Sequence, residues 1–260
     1  MTTLKQLTTL TKRIIKQNLT NADTIITTII MPIFILLFFV YVMGGNILVD
    51  GTAGDRGEYL RYVMPGFLLM SITMGSAYTA LRINNDKTKG FMTRLLSMPM
   101  KRWVILGSHI FASMIFMLIS VLAVLLTGFA FGYRLEGSVA DFLLFLSLMG
   151  LFAIAITVLA IPFSLTAKDY AGAGAFSYLL IFLLFISPAF IPVAGMAKPI
   201  RFFAENQPMT PIIETTKALL EGSFTFTSQT TLLTVIWLGA LLIVFGFLSL
   251  KRYKQVFVNV

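Results

Sequence analysis

Ile25-Ile26-Thr27-Thr28-Ile29-Ile30-Met31-Pro32-Ile33-Phe34-Ile35-Leu36-Leu37-Phe38-Phe39-Val40-Tyr41-Val42-Met43 runs for nineteen residues without a charge. Crossing a bilayer as a helix takes about 20 mostly apolar residues. Thirteen of these nineteen are Ile, Leu, Phe or Val. At roughly −0.3 to −0.6 kcal/mol each near the helix centre, they supply about −4 to −8 kcal/mol before Pro32 and the threonines are subtracted. The stretch is expected to span a membrane. A basic segment precedes it, as in a signal peptide, but the run is too long for a typical apolar core and no A-x-A-like site follows. It is therefore read as the first span.

The same reading extends along the chain to Val63–Leu81, Val104–Phe131, Phe142–Thr166, Tyr170–Val193 and Leu232–Leu250. Six spans are expected, in a single transmembrane domain covering residues 1–260, with loop 82–103 and an outer segment 195–231 as its longest connections on either side. Composition agrees. Of the 260 residues 57% are hydrophobic and only 12% charged, and mean hydropathy is +0.88. A soluble domain carries about 25% charged residues, so a soluble α/β enzyme and a disordered chain are both excluded. The absence of cysteine rules out disulfides and Cys-ligated metals. The single histidine, His109, leaves no His cluster for a catalytic metal.

Charge fixes the expected orientation. Residues 1–24, loop 82–103, link 167–169 and the tail after the last span hold fourteen Lys/Arg against three acidic residues. The remaining loops hold six against eight. By the positive-inside rule the first set, with both termini, is cytoplasmic. The net charge of +9 then reflects membrane topology and not a nucleic-acid footprint. Ahead of the first span, Leu4, Leu7, Ile14, Ile15 and Leu19 alternate with Lys5, Lys12, Arg13 and Lys16, as in an amphipathic helix lying on the inner membrane surface.

None of the six runs contains Asp, Glu, Lys or Arg. Ion-coupled carriers place ionisable groups at membrane depth, and membrane-embedded enzymes need His, Asp or Glu clusters. Neither class is suggested. No G-x-x-x-x-G-K-[ST] stretch occurs, so no phosphate cradle of that kind is present to supply energy. Ser71, Gly75 and Thr79, and the pair Gly128 and Gly132, are small-residue stripes that read as helix-packing surfaces.

Two connecting segments carry more information. In the loop after the second span, Gly90 and Pro99 bracket about two helical turns, with Phe91, Leu95 and Met98 at i, i+4 and i+7. Such a helix can rest on lipid headgroups or seat its apolar face in a partner's groove; the pattern alone favours lipid. On the other side, Pro188 and Pro192 are expected to end or kink the fifth span. Beyond them, Thr210 suits an N-cap, Pro211 a first helical position and Gly222 the residue past the end. The helix between is too short to span and is expected to dip into the outer leaflet or to lie as a surface lid.

Together these segments resemble the type-2 ATP-binding-cassette (ABC) permease family, in particular its daunorubicin-resistance-type drug-export branch. The resemblance is carried by Asp86, Lys89-Gly90, Arg94-Leu95, Leu96-Ser97-Met98-Pro99 and Arg102 in the first, and by Gln207-Pro208, Thr210-Pro211 and Ala218-Leu219-Leu220 in the second. Tyr62-Val63-Met64-Pro65-Gly66 is similar to the family's proline-glycine opening of the second span. Lys217 departs by standing where an arginine is expected. The resemblance implies an all-α membrane protein with an N-terminal elbow helix, six spans, a cytoplasmic coupling helix and short external helices before the last span. It implies a transport subunit with no catalytic, cofactor or metal residues of its own, ATP and Mg being held by a separate ATPase subunit present in two copies. A second permease subunit, membrane lipids and a bacterial plasma membrane are implied as well. The residues implied to meet the ATPase are Asp86, Gly90, Phe91, Met92, Arg94, Leu95, Leu96, Pro99 and Arg102. Those implied at the external gate are Pro208, Thr210, Pro211, Glu214 and Lys217. The cargo implied is a hydrophobic or amphipathic small molecule, with lipid-linked polysaccharide as the alternative within the family and an ATP-independent carrier or membrane anchor outside it.

Overall fold

A computed structural model of the chain describes residues 2–44, 55–191 and 195–257; the side chain of Met43 and the predicted ends of the fifth span, Pro192 and Val193, lie outside what is described. Among these residues the chain is helical throughout, with no strand. Helix α1 (Thr3–Thr20) is followed by a continuous helical rod of α2 (Ala22–Ile25), a π turn (Ile26–Ile30), α3 (Met31–Phe38) and a second π turn (Phe39–Met43). Then come α4 (Arg56–Thr88), α5 (Phe91–Leu96), α6 (Trp103–Ala130), α7 (Val139–Thr166), α8 (Tyr170–Gly174), α9 (Phe176–Phe185), α10 (Lys198–Asn206), α11 (Met209–Glu221) and α12 (Gln229–Phe257).

Five of the six expected spans are long apolar helices, within Ala22–Val42, Arg56–Thr88, Trp103–Ala130, Val139–Thr166 and Gln229–Phe257. The fifth is the exception. Among the described residues of the run Tyr170–Val193 the helix extends from Tyr170 to Phe185, about 24 Å at 1.5 Å per residue, short of the ~30 Å hydrocarbon layer. Pro188 explains the stop. It lacks the N–H that the Leu184 carbonyl would receive, and the Ser187 hydroxyl and amide both bond that carbonyl instead. The second span is corrected in the other direction: α4 has 33 residues and continues to Thr88, so the first seven residues of the expected 82–103 loop are helix.

Helix α4 is the buried axis, enclosed by α6, α7, α8 and α9, while α12 lies against α7 with most of its surface outward. Phe67 and Phe190 meet edge to face at 5.0 Å within the main core. The Pro65-Gly66 step makes this possible: a Cβ on Gly66 would stand 2.8 Å from Ala189 Cβ and 2.9 Å from its carbonyl oxygen. Only glycine lets α4 lie against the turn that ends α9. Gly75 packs on Met117 and Thr28, and Thr79 Oγ1 donates to Ser113 Oγ at 2.8 Å, so the small-residue stripe of the second span is an internal seam.

Proline recurs at these seams in one way. Pro32 and Pro162 offer no N–H to the carbonyls of Thr28 and Val158, four residues earlier. Each carbonyl receives a serine hydroxyl from a neighbouring helix, Ser120 on α6 at 2.5 Å and Ser249 on α12 at 3.0 Å. Burying a carbonyl without a donor in an apolar medium is costly. Each donor therefore ties two helices together at the proline step.

Candidate functional site at the basic end of the bundle

The ends of α1, α4, α6, α7 and α12 that carry the Lys/Arg-rich loops meet around a second apolar core of Leu10, Ile83, Met92, Leu95, Val104 and neighbours. Above it sits a buried charge cluster. Arg13 on α1 holds Asp86 on α4 through two hydrogen bonds, Nη1 to Oδ2 and Nη2 to Oδ1, both 3.1 Å. His109 Nε2 on α6 lies 3.5 Å from the same Oδ2. The carboxylate is 6% exposed, the imidazole 4% and the guanidinium 30%. The Arg13 guanidinium also lies over the Phe91 ring at 3.7 Å, a cation–π contact. One carboxylate thus joins the elbow helix, the second span, the third span and, through Arg13, the loop helix.

The same end of α4 caps α7. Asn84 Nδ2 donates to the carbonyls of Ser164 and Ala167, and Lys87 Nζ to those of Leu165 and Ala167, at 2.8–3.0 Å. These are carbonyls at a helix C-terminus that have no partner within the helix, and a cation there also suits the helix dipole.

The loop helix α5 is shorter than the spacing implied, six residues in place of eight. Gly90 at φ +68° starts it in the left-handed region, where a Cβ is disfavoured. Its inward face is Met92 and Leu95, both buried in the second core, with Phe91 and Leu96 packed at the margin. The expected Phe91–Leu95–Met98 stripe is corrected: Met98 is 50% exposed, because the helix has ended before it. Arg94, Ser97, Met98, Pro99, Lys101 and Arg102 form the outer face. Of the residues implied to meet an ATPase, the structure brings Arg94, Pro99 and Arg102 to the surface and places Asp86, Met92 and Leu95 inside.

At the opposite end the residues implied at the gate fall on α11 and its N-cap. Helix α11 starts at Met209 with Pro208 at its cap position, so Thr210 lies within the helix, its hydroxyl donating to the Ala204 carbonyl of α10 and not capping. Gly222 ends the helix as expected, at φ +73°. Met209, Ile212, Ile213, Leu219 and Leu220 are buried in the main core, and Thr215 and Thr234 share a 2.9 Å hydroxyl bond with α12. This helix is inserted in the bundle and is no surface lid. Glu214 and Lys217 face outward; Lys217 lies 3.8 Å from Glu221 and 5.6 Å from the Tyr62 ring centre. Gln207, buried, donates through Nε2 to the Leu183 carbonyl at 2.7 Å and ties α10–α11 to the end of the short fifth span. Glu214, although it faces outward, is partly desolvated, which pushes its carboxyl above its usual range; Lys217 opposes this and Glu205 adds to it.

Arg13 and His109 are partners the sequence reading missed as site residues. Arg13 is one of four basic residues in α1, and nothing local sets it apart from Lys12. Its signal is distance in space, not spacing in sequence.

Two relatives named for drug resistance are similar to the chain over most of its length. "Daunorubicin resistance ABC transporter permease protein DrrB1" of Streptomyces coeruleorubidus is 22% identical over 232 residues, 89% of this chain and 80% of the relative. "Probable doxorubicin resistance ABC transporter permease protein DrrC" of Mycobacterium tuberculosis is 24% identical over 212 residues, 82% of this chain and 75% of the relative. The family model for the ABC-2 type transporter matches residues 5–220, from the elbow helix through α11, and the chain belongs to that family of membrane transport subunits.

Proposed function

We propose that this chain is the membrane-spanning subunit of an ATP-driven exporter of hydrophobic or amphipathic small molecules, drugs of the daunorubicin type among them. Its basic end faces the cytoplasm of a bacterial cell, as the Lys/Arg asymmetry supports. There the outer face of α5 and the following turn meets a separate ATPase subunit, and two such permeases with two ATPases enclose the cargo path. The observation that carries this reading is the loop helix itself. Met92 and Leu95 anchor it to the second core, while Arg94, Ser97, Met98 and Pro99 lie bare on the other side. Nucleotide bound by the partner, with Mg, biases the pair between two states. It drives export only through its different affinity for those states.

Asp86, on this reading, positions the loop helix and does not itself touch the partner. Motion of α5 passes through Phe91 and Arg13 to α1, and through Asp86 to α4, the axis of the bundle. Deleting Phe91–Met98 is a poor test, because it removes core residues. Arg94→Glu with Met98→Glu changes only the bare face. Tagged permease with this double change is expected to purify in normal yield but without the co-expressed ATPase, and cells carrying it accumulate doxorubicin that wild-type cells export. Stoichiometric ATPase on the double variant would overturn the docking face. Equal doxorubicin accumulation with and without the wild-type complex would overturn the cargo class.

A further inference from the structure

Between α7, the start of α8 and α12, at the basic end, the structure forms an open groove of about 450 Å³. Pro162, Phe163, Phe245 and Leu248 give it apolar walls, Gly172 leaves room at one side and Arg252 stands at the rim. The walls are ordered by contacts already described or adjacent to them. Ser249 holds α12 to the Val158 carbonyl that Pro162 leaves without a donor, and Phe163 stacks on Phe176 at 5.4 Å and lies 6.4 Å from Phe245. Arg252 is exposed; its Nη1 donates to Gln255 Oε1 at 3.2 Å. A guanidinium has five N–H donors, so donors remain for a second acceptor.

Arg252 is the charged residue that lines the groove. Lys251 and Lys254 flank Arg252 on the last turns of α12, and Lys168 follows the wall residue Ala167. The neighbouring acidic residue, Asp169, turns its Oδ1 inward to accept the Gly172 amide at 2.7 Å. An open apolar groove with an arginine in its lining, at the end of a membrane-spanning bundle, fits one kind of molecule. A phosphate suits the guanidinium through paired N–H···O bonds, and an apolar chain suits the groove. We propose that this groove binds an anionic phospholipid, its phosphate on Arg252 and an acyl chain between Phe163, Phe245 and Leu248. The proposal is independent of the transport reading, because it concerns a lipid held by the outer side of one chain.

The test is a titration of the purified full chain in detergent with phosphatidylglycerol and with phosphatidylcholine of identical chains, read as thermal stabilisation. Phosphatidylglycerol is expected to stabilise at lower concentration than phosphatidylcholine. Arg252→Gln is expected to weaken the phosphatidylglycerol response about fivefold or more and to leave melting in detergent alone unchanged. Leu248→Trp, which fills the groove, is expected to weaken the response to both lipids. Equal responses to the two lipids, or an undiminished phosphatidylglycerol preference in Arg252→Gln, would overturn the headgroup contact. Full stabilisation by glycerol 3-phosphate alone would show a site for free phosphate and overturn the lipid. A groove that binds doxorubicin in competition with phosphatidylglycerol would make it a cargo site and overturn it too.

Discussion

At the basic end a nearly inaccessible carboxylate, Asp86, is held by Arg13 and approached by His109, and it gathers four helices. At the opposite end the ion pairs are half exposed. Arg61–Glu136 is 47% and 50% open to solvent and Arg201–Glu205 is 49% and 44%, while the close packing is done by apolar residues of α11 and by threonine hydroxyls. Buried charge pairs tolerate little displacement, because separating them strands a charge in a low dielectric. Apolar and hydroxyl contacts slide at smaller cost. Under the proposed function, this contrast suits the basic end to passing on displacement and leaves the opposite end freer to rearrange.

Removing one partner at each end gives the largest expected effect. Asp86→Ala leaves Arg13 and His109 facing an apolar gap. Breaking a buried pair costs about 3–5 kcal/mol, and the partial exposure of Arg13 puts this case near the lower figure. Glu136→Ala is expected to cost ~0.2–1 kcal/mol, as for exposed pairs. Denaturant titration of the two variants in one detergent measures both, and equal losses would erase the contrast. Under the proposed function Asp86→Ala is also expected to release the ATPase subunit although Asp86 lies beneath the proposed docking face, which separates a positioning role from direct contact.

Smaller effects sharpen the comparison. Gly90→Ala forces a Cβ into the left-handed region at φ +68°, at roughly 1–2 kcal/mol. The space around Gly90 is open, so the cost is backbone strain alone, relieved by rotating α5. ATPase binding is expected to weaken with little change in the melting of the spans. Ser249→Ala removes the donor to the Val158 carbonyl and is expected to cost about 1 kcal/mol, close to what single interhelical hydrogen bonds contribute in membrane proteins. Ser249→Thr, which keeps the hydroxyl, is expected to restore it. A Ser249→Ala protein as stable as wild type would mean that the carbonyl left without a donor by Pro162 does not depend on α12.

Much of this architecture is legible along the chain because a membrane span is a local property: charge-free apolar length determines it, and Ile25–Met43 could be nothing else. The fifth span misleads for the same reason. Its run of apolar residues continues past Phe185, but Pro188 and the need to receive Gln207 at the Leu183 carbonyl end the helix, and only the second of these is non-local. The loop helix was legible as a two-turn element bounded by Gly90 and Pro99, yet its inward face was not. Helical spacing predicts which residues share a face, and Met98 lies beyond the helix that would put it there. The Asp86 cluster was the least legible part. Its partners are 73 and 23 positions away, and pairing at that distance follows from packing of α1 and α6, which no periodicity in the sequence encodes.

The smallest effect concerns pH at the end opposite the basic end. Glu214 lines a cavity of about 80 Å³ with Pro188, Glu205, Thr210, Pro211 and Leu233, and desolvation there raises its pKa. A carboxyl whose pKa is raised on folding is protonated more readily in the folded than in the unfolded chain. The folded state is therefore favoured at low pH, and this advantage is lost as pH rises through the ordinary glutamate range to the raised value; above it the loss is constant. Stability is expected to fall slightly over that window in wild type and to stay flat in Glu214→Gln, which has no proton to lose. Because the carboxylate is partly open to solvent and Lys217 opposes the shift, the slope is expected to be shallow, and only the difference between the two proteins isolates it. A slope of opposite sign in wild type, absent from Glu214→Gln, would mean that Lys217 dominates and that α11 is held by this pair, making this end more like the basic end than its geometry implies.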